Sequence, residues 1–243
     1  MKEKDMIVQR THDEFYVNEN RYHEPKEMFK FIGEKLLKEN SIVDGLSICD
    51  FGCAAGEFLF YLQKILPKAQ LFGLDLLPEL IQKCSTYVPS ASLKVGSVLD
   101  QNSEGKDSFD ISFLIGVHSI FDEFETCFNN LIRWTKPGGK IYIVGMFNPF
   151  PVDVMIKYKH SKDYASNVYE SGWNIFSQAS ISSYLENHSK VNSFSFEKFE
   201  ITIDLPRQED PIRSWTLRDF RENRFIVNGL CIIQPHYLLE IVL

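Results

Sequence analysis

The most informative stretch of this sequence is Asp50-Phe51-Gly52-Cys53-Ala54-Ala55-Gly56-Glu57-Phe58. The short apolar segment before it, Leu46–Cys49, predicts a buried strand, and Phe58–Leu66 after it predicts a helix that a proline ends. Gly52 and Gly56 can adopt a positive φ and let a ligand come close to the backbone. Strand, small-residue turn and helix together predict a loop that holds a ligand.

A dinucleotide-binding fold would need Gly-x-Gly-x-x-Gly at this turn, with a pyrophosphate at the helix N-terminus. This sequence has Ala54 at the second glycine position and the bulky Glu57 at the third, where a side chain opposes close packing of helix and strand. Asp50 and Glu57 also bring two carboxylates to the turn, which disfavours a pyrophosphate and favours a cation. A nicotinamide enzyme is therefore disfavoured, although it stays open as an alternative.

Composition and charge narrow the classes of function. The chain has 243 residues, of which 44% are hydrophobic and 24% charged, as in ordinary soluble domains. No apolar run approaches the roughly 20 residues that span a bilayer, and Met1–Asp5 is unlike a signal peptide, so we expect a cytoplasmic protein without membrane contact. A formal charge of −7 without a lysine-arginine block disfavours nucleic acid, which leaves a small molecule as the expected partner. The cysteines form no CxxC pair and are expected to be reduced.

The acidic residue followed by a glycine-rich turn resembles the first motif of the class I S-adenosylmethionine-dependent methyltransferases. Their cofactor carries an ammonium and a sulfonium, which suits an acidic loop. Further features follow in the family's order: Asp75 at the end of a second strand, a fourth motif running from Asp110 to His118, and Lys-Pro-Gly-Gly at 136–139 before a fifth strand. The length of the chain predicts one α/β domain over residues 1–243, with two domains as the alternative. The resemblance implies a Rossmann-like, doubly wound α/β/α sandwich of seven strands, mostly parallel with an antiparallel C-terminal strand.

The resemblance also implies which residues bind the cofactor. Asp75 ends the second strand where an adenosine ribose would lie, and a carboxylate accepts hydroxyl hydrogen bonds well; the alternative is an acid that caps the next helix. The family commonly has an acid at the position of Ser97, so this sequence departs from the pattern there, and Asp100 is a second candidate for that acid. The predicted cofactor-binding residues are Asp50, Gly52, Cys53, Ala54, Gly56, Asp75, Leu76, Ser97, Val98 and Ile115.

His118 is the predicted catalytic residue. Ligands gather at the carboxyl ends of strands in a doubly wound sheet, so we expect the imidazole to face the cleft near the transferred methyl. An unperturbed pKa of about 6.5 suits it to take a proton from a hydroxyl during methylation. The alternative is a histidine that packs on the cofactor or orders the loop. Adjacent acids at Asp122 and Glu123 would make a poor metal cage, so no metal is expected.

Segments outside the cofactor-binding half, residues 41–147, are predicted to shape the acceptor site: an N-terminal cap at 1–40 and insertions at 148–176 and 206–224. The first insertion combines prolines with aromatic residues, and the second carries arginines beside Trp215, which suits a phosphate with a ring. Packing or solvated charge is the alternative for each residue. The predicted acceptor-binding residues are Tyr22, Asn148, Tyr158, Trp173 and Arg213.

The resemblance thus implies methyl transfer from S-adenosylmethionine to a small polar acceptor, with S-adenosylhomocysteine as the product. The aromatic insertion and the arginines favour O-methylation of a sugar or nucleotide-linked sugar, as in bacterial surface polysaccharide. An N-methyltransferase of a small metabolite and a non-catalytic cofactor-binding partner of another methyltransferase are the alternatives.

Overall fold

Apolar segments that alternate with amphipathic ones build a layered α/β fold in the computed structural model, which describes Tyr16 and residues 20–38, 44–163, 165 and 167–243. The helices are α1 (Glu27–Lys38), α2 (Glu57–Ile65), α3 (Pro78–Tyr87), α4 (Glu125–Trp134) and α5 (Gln178–Glu186). The strands are β1 (Ser47–Phe51), β2 (Gln70–Asp75), β3 (Ser92–Val95), β4 (Phe109–Ile115), β5 (Thr135–Asn148), β6 (Lys157–Tyr158), β7 (Glu170–Ser171), β8 (Phe176–Ser177), β9 (Ser193–Lys198), β10 (Trp215–Arg218), β11 (Arg224–Val227) and β12 (His236–Val242). Within this described part of the chain, no helix has both the length and the apolar character that crossing a membrane requires.

The central sheet has its strands in the order β3-β2-β1-β4-β5-β12-β9, and β8 pairs with the end of β5. β1 to β5 pair in parallel, while β12 is antiparallel to both of its neighbours. The predicted Rossmann-like sheet, mostly parallel with an antiparallel C-terminal strand, is therefore confirmed. Part of the predicted N-terminal cap, at residues 1–15, 17–19 and 39–40, lies outside the described residues.

Helices cover both faces of the sheet. All five residues of β1 are buried, and successive side chains point to opposite faces, so Phe51 and Ile48 belong to different apolar clusters. On one face Phe51 stacks on Trp134 of α4, with 4.9 Å between ring centroids. On the other face Phe58 of α2 packs edge-on against Phe113 of β4 at 5.0 Å. These two packed layers fix the ends of the strands relative to each other.

The segment after α5 differs from its sequence-based prediction. Alternating apolar residues from Phe194 to Leu205 predict one long strand, but β9 ends at Lys198. Lys198 pairs with Tyr237, and the N–H of Phe199 donates to the carbonyl of His236, the first residue of β12, so the pairing with β12 ends there. Periodicity is a local signal, whereas strand length depends on a partner elsewhere in the chain.

Part of the second predicted insertion forms a hairpin. β10 and β11 pair antiparallel, with Trp215 opposite Val227. Asp204 accepts hydrogen bonds from Arg218 at 3.1 Å and from Arg224 at 2.9 Å, which ties both strands of the hairpin to the segment before it. These arginines are therefore part of an internal charge network.

One edge of the sheet gathers the residues that position the functional site. The carboxyl ends of the parallel strands β1 to β5 lie along this edge. Because β12 runs antiparallel to β5, its first residue, His236, pairs with Met146 near the carboxyl end of β5. Residues at the carboxyl ends of β1 to β5 and residues at the start of β12 therefore lie together at this edge.

Candidate active site

The loop between β1 and α2 has a backbone that requires glycine at two positions. Gly52 has φ +76° and Gly56 has φ +82°, both in the left-handed region. A Cβ at Gly52 would overlap Cγ2 of Val117, and a Cβ at Gly56 would overlap Sγ of Cys84. At Gly52 and Gly56 the backbone of the loop therefore packs directly against neighbouring side chains. Because these two residues carry no side chain, a ligand can also come close to the loop backbone.

The carboxylate of Asp75 holds this loop in place. Its Oδ2 accepts a hydrogen bond from the N–H of Ala54 at 2.8 Å, and its Oδ1 accepts one from Leu77 at 3.0 Å. Ala54 has φ +47°, a strained conformation for a residue with a side chain, which persists because surrounding contacts hold it. Asp75 also lines the cavity, and a carboxylate is a good acceptor for ligand hydroxyls.

Asp50 is a buried acid with an unused oxygen. The residue is 3% exposed, and among the described residues its Oδ1 has no hydrogen-bond partner. Burial, with a smaller contribution from the charge of Asp75, raises the pKa of Asp50 to about 8. Burying a polar atom without a partner is costly, so this position suits a ligand that brings N–H donors or positive charge.

A cavity of about 470 Å³ runs along the strand edge, within the usual range for a small-molecule site. We call its two parts the loop end and the β12 end. The loop end is lined by Asp50, Gly52, Cys53, Ala54, Glu57, Asp75, Leu76, Ser97 and Val98. The β12 end is lined by Gly145, Met146, Trp173, Ser214, Gln234 and His236. Adjacent strands lie about 4.8 Å apart, so the four steps from β2 to β12 span roughly 19 Å. The loop end and the β12 end are therefore two separate parts of one cavity.

Comparison with known proteins identifies the family. Residues 49–143 match a family model described as a methyltransferase domain. Residues 49–143 thus match a methyltransferase domain, and the fold of the chain is that of the class I S-adenosylmethionine-dependent methyltransferases. The prediction made from the glycine loop is confirmed. No match was found among curated protein sequences.

Solved structures share the methyltransferase fold. It is similar to that of a putative methyltransferase in complex with the Trm112 activator from Haloferax volcanii, with TM-score 0.62 and 17% identity over 97% of this chain and 99% of that chain. YcgJ from Bacillus subtilis has TM-score 0.58 and 12% identity over 89% of this chain and 97% of that chain. Phosphoethanolamine N-methyltransferase 2 from Haemonchus contortus, solved with phosphomonomethylethanolamine and S-adenosylhomocysteine, has TM-score 0.54 and 16% identity over 77% of this chain and 42% of that chain.

A methyltransferase domain implies S-adenosylmethionine as the cofactor, and the loop end fits it. The unpartnered Oδ1 of Asp50 suits its positive charge, and the open glycine backbone suits close approach. All of the predicted cofactor residues line the cavity except Gly56, which begins α2 behind the loop. Their individual contacts with the cofactor stay predictions.

The two candidates for the adenine-side acid differ in position. Ser97 lines the cavity, and its Oγ accepts a hydrogen bond from the N–H of Leu99 at 3.1 Å. Asp100 is not among the lining residues, because its Oδ1 caps its own turn by accepting from Asn102 at 2.9 Å. Ser97 is therefore the candidate that lines the cavity, and the role of Asp100 stays a prediction.

His118 of the methyltransferase is fully buried and does not line the cavity. Its ring stacks on Phe147 at 4.7 Å and lies beneath Gly145, where any Cβ would overlap Cε1 of the imidazole. Burial lowers the pKa of His118 to about 4, so the ring is neutral. The expectation that it faces the cleft is not met, since Gly145 lies between the ring and the cavity; its role as a base stays a prediction. Nε2 lies 3.3 Å from the hydroxyl oxygen of Ser119, a lining residue.

Tyr22 also lies outside the cavity lining, contrary to its predicted acceptor role. It is 2% exposed, stacks on Tyr87 at 3.8 Å and donates a hydrogen bond from its hydroxyl to the carbonyl of Ala55 at 2.7 Å. Glu57 accepts a hydrogen bond from the N–H of Arg21 at 2.7 Å. Arg21 and Tyr22 are therefore both hydrogen-bonded to residues at the end of the glycine loop. The N-terminal segment instead contributes Tyr16, Lys26, Met28 and Phe29 to the lining.

The predicted acceptor residues of the insertions separate into two groups. Trp173 lines the cavity, whereas Asn148, Tyr158 and Arg213 do not. Asn148 organises its own loop by donating to the carbonyl of Val152 at 2.7 Å, and the hydroxyl of Tyr158 donates to Glu170 at 2.9 Å. The first insertion thus satisfies much of its polar surface internally, through the β6–β7 hairpin.

Asn174 attaches this insertion to the catalytic edge of the sheet. Its N–H donates to the carbonyl of Ser119 at 2.6 Å, and its side-chain amide donates to the carbonyl of Phe121 at 2.7 Å. Its Oδ1 accepts from the N–H of Ile156 at 2.8 Å. These bonds fix the neighbouring Trp173 at the β12 end of the cavity.

Sequence reasoning missed Ser214, Gln234 and His236. These residues follow β9 in the chain and line the cavity. A usable signal exists for His236: an antiparallel C-terminal strand must begin where the parallel strands end. Ser214 carries no comparable signal, because it reaches the cavity through its hydrogen bond to Oε1 of Gln234 at 2.6 Å.

No group of three His, Cys, Asp or Glu side chains is arranged to hold a metal ion in the part of the chain that is described. The suspected pair is engaged elsewhere: Asp122 forms an ion pair with Lys157 at 2.5 Å, and Glu123 accepts a hydrogen bond from the N–H of Thr126 at the start of α4.

Proposed function

We propose that this methyltransferase methylates a hydroxyl of a small polar acceptor that lies in the β12 end of the cavity. S-adenosylmethionine supplies a methyl group activated on a sulfonium. Transfer is an in-line displacement, so the contribution of the protein is mainly alignment of the two reacting atoms. The observation that carries the proposal is the continuation of one cavity from the unpartnered Asp50 to Trp173, Gln234 and His236.

A sugar is the acceptor that we propose. The β12 end presents one large aromatic side chain, Trp173, beside the polar side chains of Ser214, Gln234 and His236. A sugar ring has apolar C–H surface and several hydroxyls, so it suits an aromatic face surrounded by hydrogen-bonding groups. Arg218 and Arg224 are bound to Asp204, and Arg213 does not line the cavity, which supports an unphosphorylated sugar over a nucleotide-linked one.

An amine acceptor is the main alternative. The acids that line the cavity, Asp50, Glu57 and Asp75, belong to its loop end. A protonated amine at the β12 end would therefore find no carboxylate among the described lining residues, which favours a hydroxyl. The N-methyltransferase from Haemonchus contortus shares the fold at 16% identity, which does not transfer its substrate to this chain.

The test is labelled methyl transfer from S-adenosylmethionine into a panel of free sugars, nucleotide sugars and small amines. We expect wild type to label a sugar hydroxyl, and the Trp173→Ala variant to raise KM for that sugar by about tenfold or more through lost ring contact. Trp215→Ala is the matched control, because Trp215 is half-buried in the β10–β11 hairpin outside the lining. Transfer only to amines would refute O-methylation, and cofactor binding without transfer to any component of a cell extract would favour a non-catalytic partner.

A further inference from the structure

His236 occupies a fixed position at the β12 end of the cavity. It is the first residue of β12 and pairs with Met146, which also lines the cavity. The backbone around it is held on both sides: the carbonyl of His236 accepts from Phe199 at 3.0 Å, and the carbonyl of Pro235 accepts from Phe147 at 3.1 Å. The imidazole therefore stands on a strand rather than on a mobile loop, as precise chemistry requires.

The tautomer of this ring follows from its hydrogen bond. Nδ1 of His236 lies 3.0 Å from the carbonyl oxygen of Gln234. A carbonyl oxygen can only accept, so Nδ1 carries the proton and Nε2 of the neutral ring carries the free lone pair. Among the described residues the side chain of His236 has its hydrogen bond at Nδ1 and none at Nε2, and His236 lines the cavity. A proton acceptor is thus left for whatever binds there.

The surroundings keep the ring neutral. Burial lowers the pKa of His236 below its usual value, against the opposing hydrogen bond to the Gln234 carbonyl. His118, which is itself neutral, is close enough to interact with it. The acids that line the same cavity, Asp50, Glu57 and Asp75, belong to the loop end. A neutral imidazole at physiological pH is ready to accept a proton.

We propose that His236 is the general base of the reaction and accepts the proton of the acceptor hydroxyl at Nε2. The inference rests on the proposed O-methylation. As the bond between sulfur and methyl carbon breaks, the acceptor oxygen forms the new bond to that carbon, and the O–H proton passes to Nε2. The products are the methyl ether, neutral S-adenosylhomocysteine and an imidazolium that returns its proton to water.

The test compares wild type with His236→Gln, which keeps a polar side chain but no basic nitrogen. We expect kcat for the sugar to fall by about 10²-fold or more, while the dissociation constant of S-adenosylhomocysteine measured by calorimetry stays within threefold. In wild type kcat falls as pH drops through the pKa of His236, and this acidic limb is absent from the variant. His188→Gln is the matched control, since His188 lies outside the cavity lining.

A second measurement does not depend on the variant folding. Nitrogen NMR of histidine-labelled wild type should show His236 as the Nδ1–H tautomer, with an Nε2 signal that shifts when methyl glucoside is added to the S-adenosylhomocysteine-bound protein. An Nε2–H tautomer, or a variant that keeps kcat within threefold, overturns the role of His236 alone. Wild type that labels no hydroxyl overturns the proposed O-methylation and the base role together, so the two failures are distinguishable.

Discussion

Asp75 accepts a hydrogen bond from the backbone N–H of Ala54 at 2.8 Å, which joins the end of β2 to the glycine loop after β1. The same carboxylate accepts from Leu77 and lines the cavity. One side chain therefore both shapes the loop and lines the cavity. Shape and binding at the loop end are coupled through this residue.

We expect the Asp75→Asn variant to lose both functions. An amide has one accepting oxygen, so it cannot accept from Ala54 and Leu77 in the arrangement that the carboxylate uses. The cost to the free energy of unfolding should be about 1–3 kcal/mol, and the dissociation constant of S-adenosylhomocysteine should rise at least about tenfold. Asp100→Asn, which alters a turn outside the lining, is the control. Equal cofactor affinity in wild type and Asp75→Asn, measured by calorimetry, would contradict the prediction.

Comparing the Gly52→Ala and Gly45→Ala variants separates the cost of backbone strain from the cost of steric overlap. Gly52 and Gly45 have φ +76° and +85°, but a Cβ at Gly45 has no heavy atom within 4 Å, whereas at Gly52 it overlaps Val117. Gly45→Ala should cost about 1–2 kcal/mol of unfolding free energy, the usual cost of the left-handed conformation. Gly52→Ala should cost about 1–3 kcal/mol more, from the overlap, and should weaken cofactor binding. Denaturant titration of both variants checks this, and equal losses would show that Val117 moves aside freely.

The pH dependence of the free energy of unfolding should report the protonation of Asp50. Its folded pKa is about 8 because of burial, above the ordinary value of 3.8, so the native protein binds a proton that the unfolded chain releases between these values. Its contribution to stability is fully present below pH 3.8 and is lost as pH rises through 8. Relative to Asp50→Asn, wild type should lose about 1.4 kcal/mol per pH unit across this window. Parallel stability curves for the two proteins would refute this.

Cofactor binding should depend on the same proton. A cationic ligand beside Asp50 favours its ionised form, so affinity for S-adenosylmethionine should rise at least about tenfold from pH 6 to pH 8, with release of a proton. Calorimetry in buffers of different ionisation enthalpy measures that release directly. Asp50→Asn should bind more weakly with a flat pH profile; a pH dependence that survives the substitution would assign it to another group.

His118→Gln tests a structural role against the predicted catalytic one. Its folded pKa of about 4 lies below 6.5, so the stability it contributes is present above pH 6.5 and is lost as pH falls towards 4. From its full burial and its stacking on Phe147 we expect the variant to have a lower Tm, to lose this acid sensitivity and to keep kcat within about threefold. A loss of kcat of about 10²-fold at unchanged Tm would instead support the base role predicted from the fourth motif.

The loop end of the cavity was accessible to sequence reasoning because its residues lie in one short stretch and at the ends of consecutive strands. Asp50, Gly52, Ala54 and Asp75 owe their positions to local alternation of strand, turn and helix. The direction of the His118 ring was not accessible in the same way. It depends on the missing side chain of Gly145 in β5, against which the ring packs. The spacing within a motif does not encode that contact.

The sequence alone was sufficient to predict the methyltransferase domain and the parallel core of the sheet, since both rest on the local spacing of strands, turns and helices. The acceptor half needed the tertiary structure. Met146 and His236 are 90 positions apart in the chain and meet only because β12 inserts antiparallel beside β5. Strand pairing depends on burial of both faces across the whole sheet, so the residues that meet at the β12 end follow from long-range packing rather than from any motif.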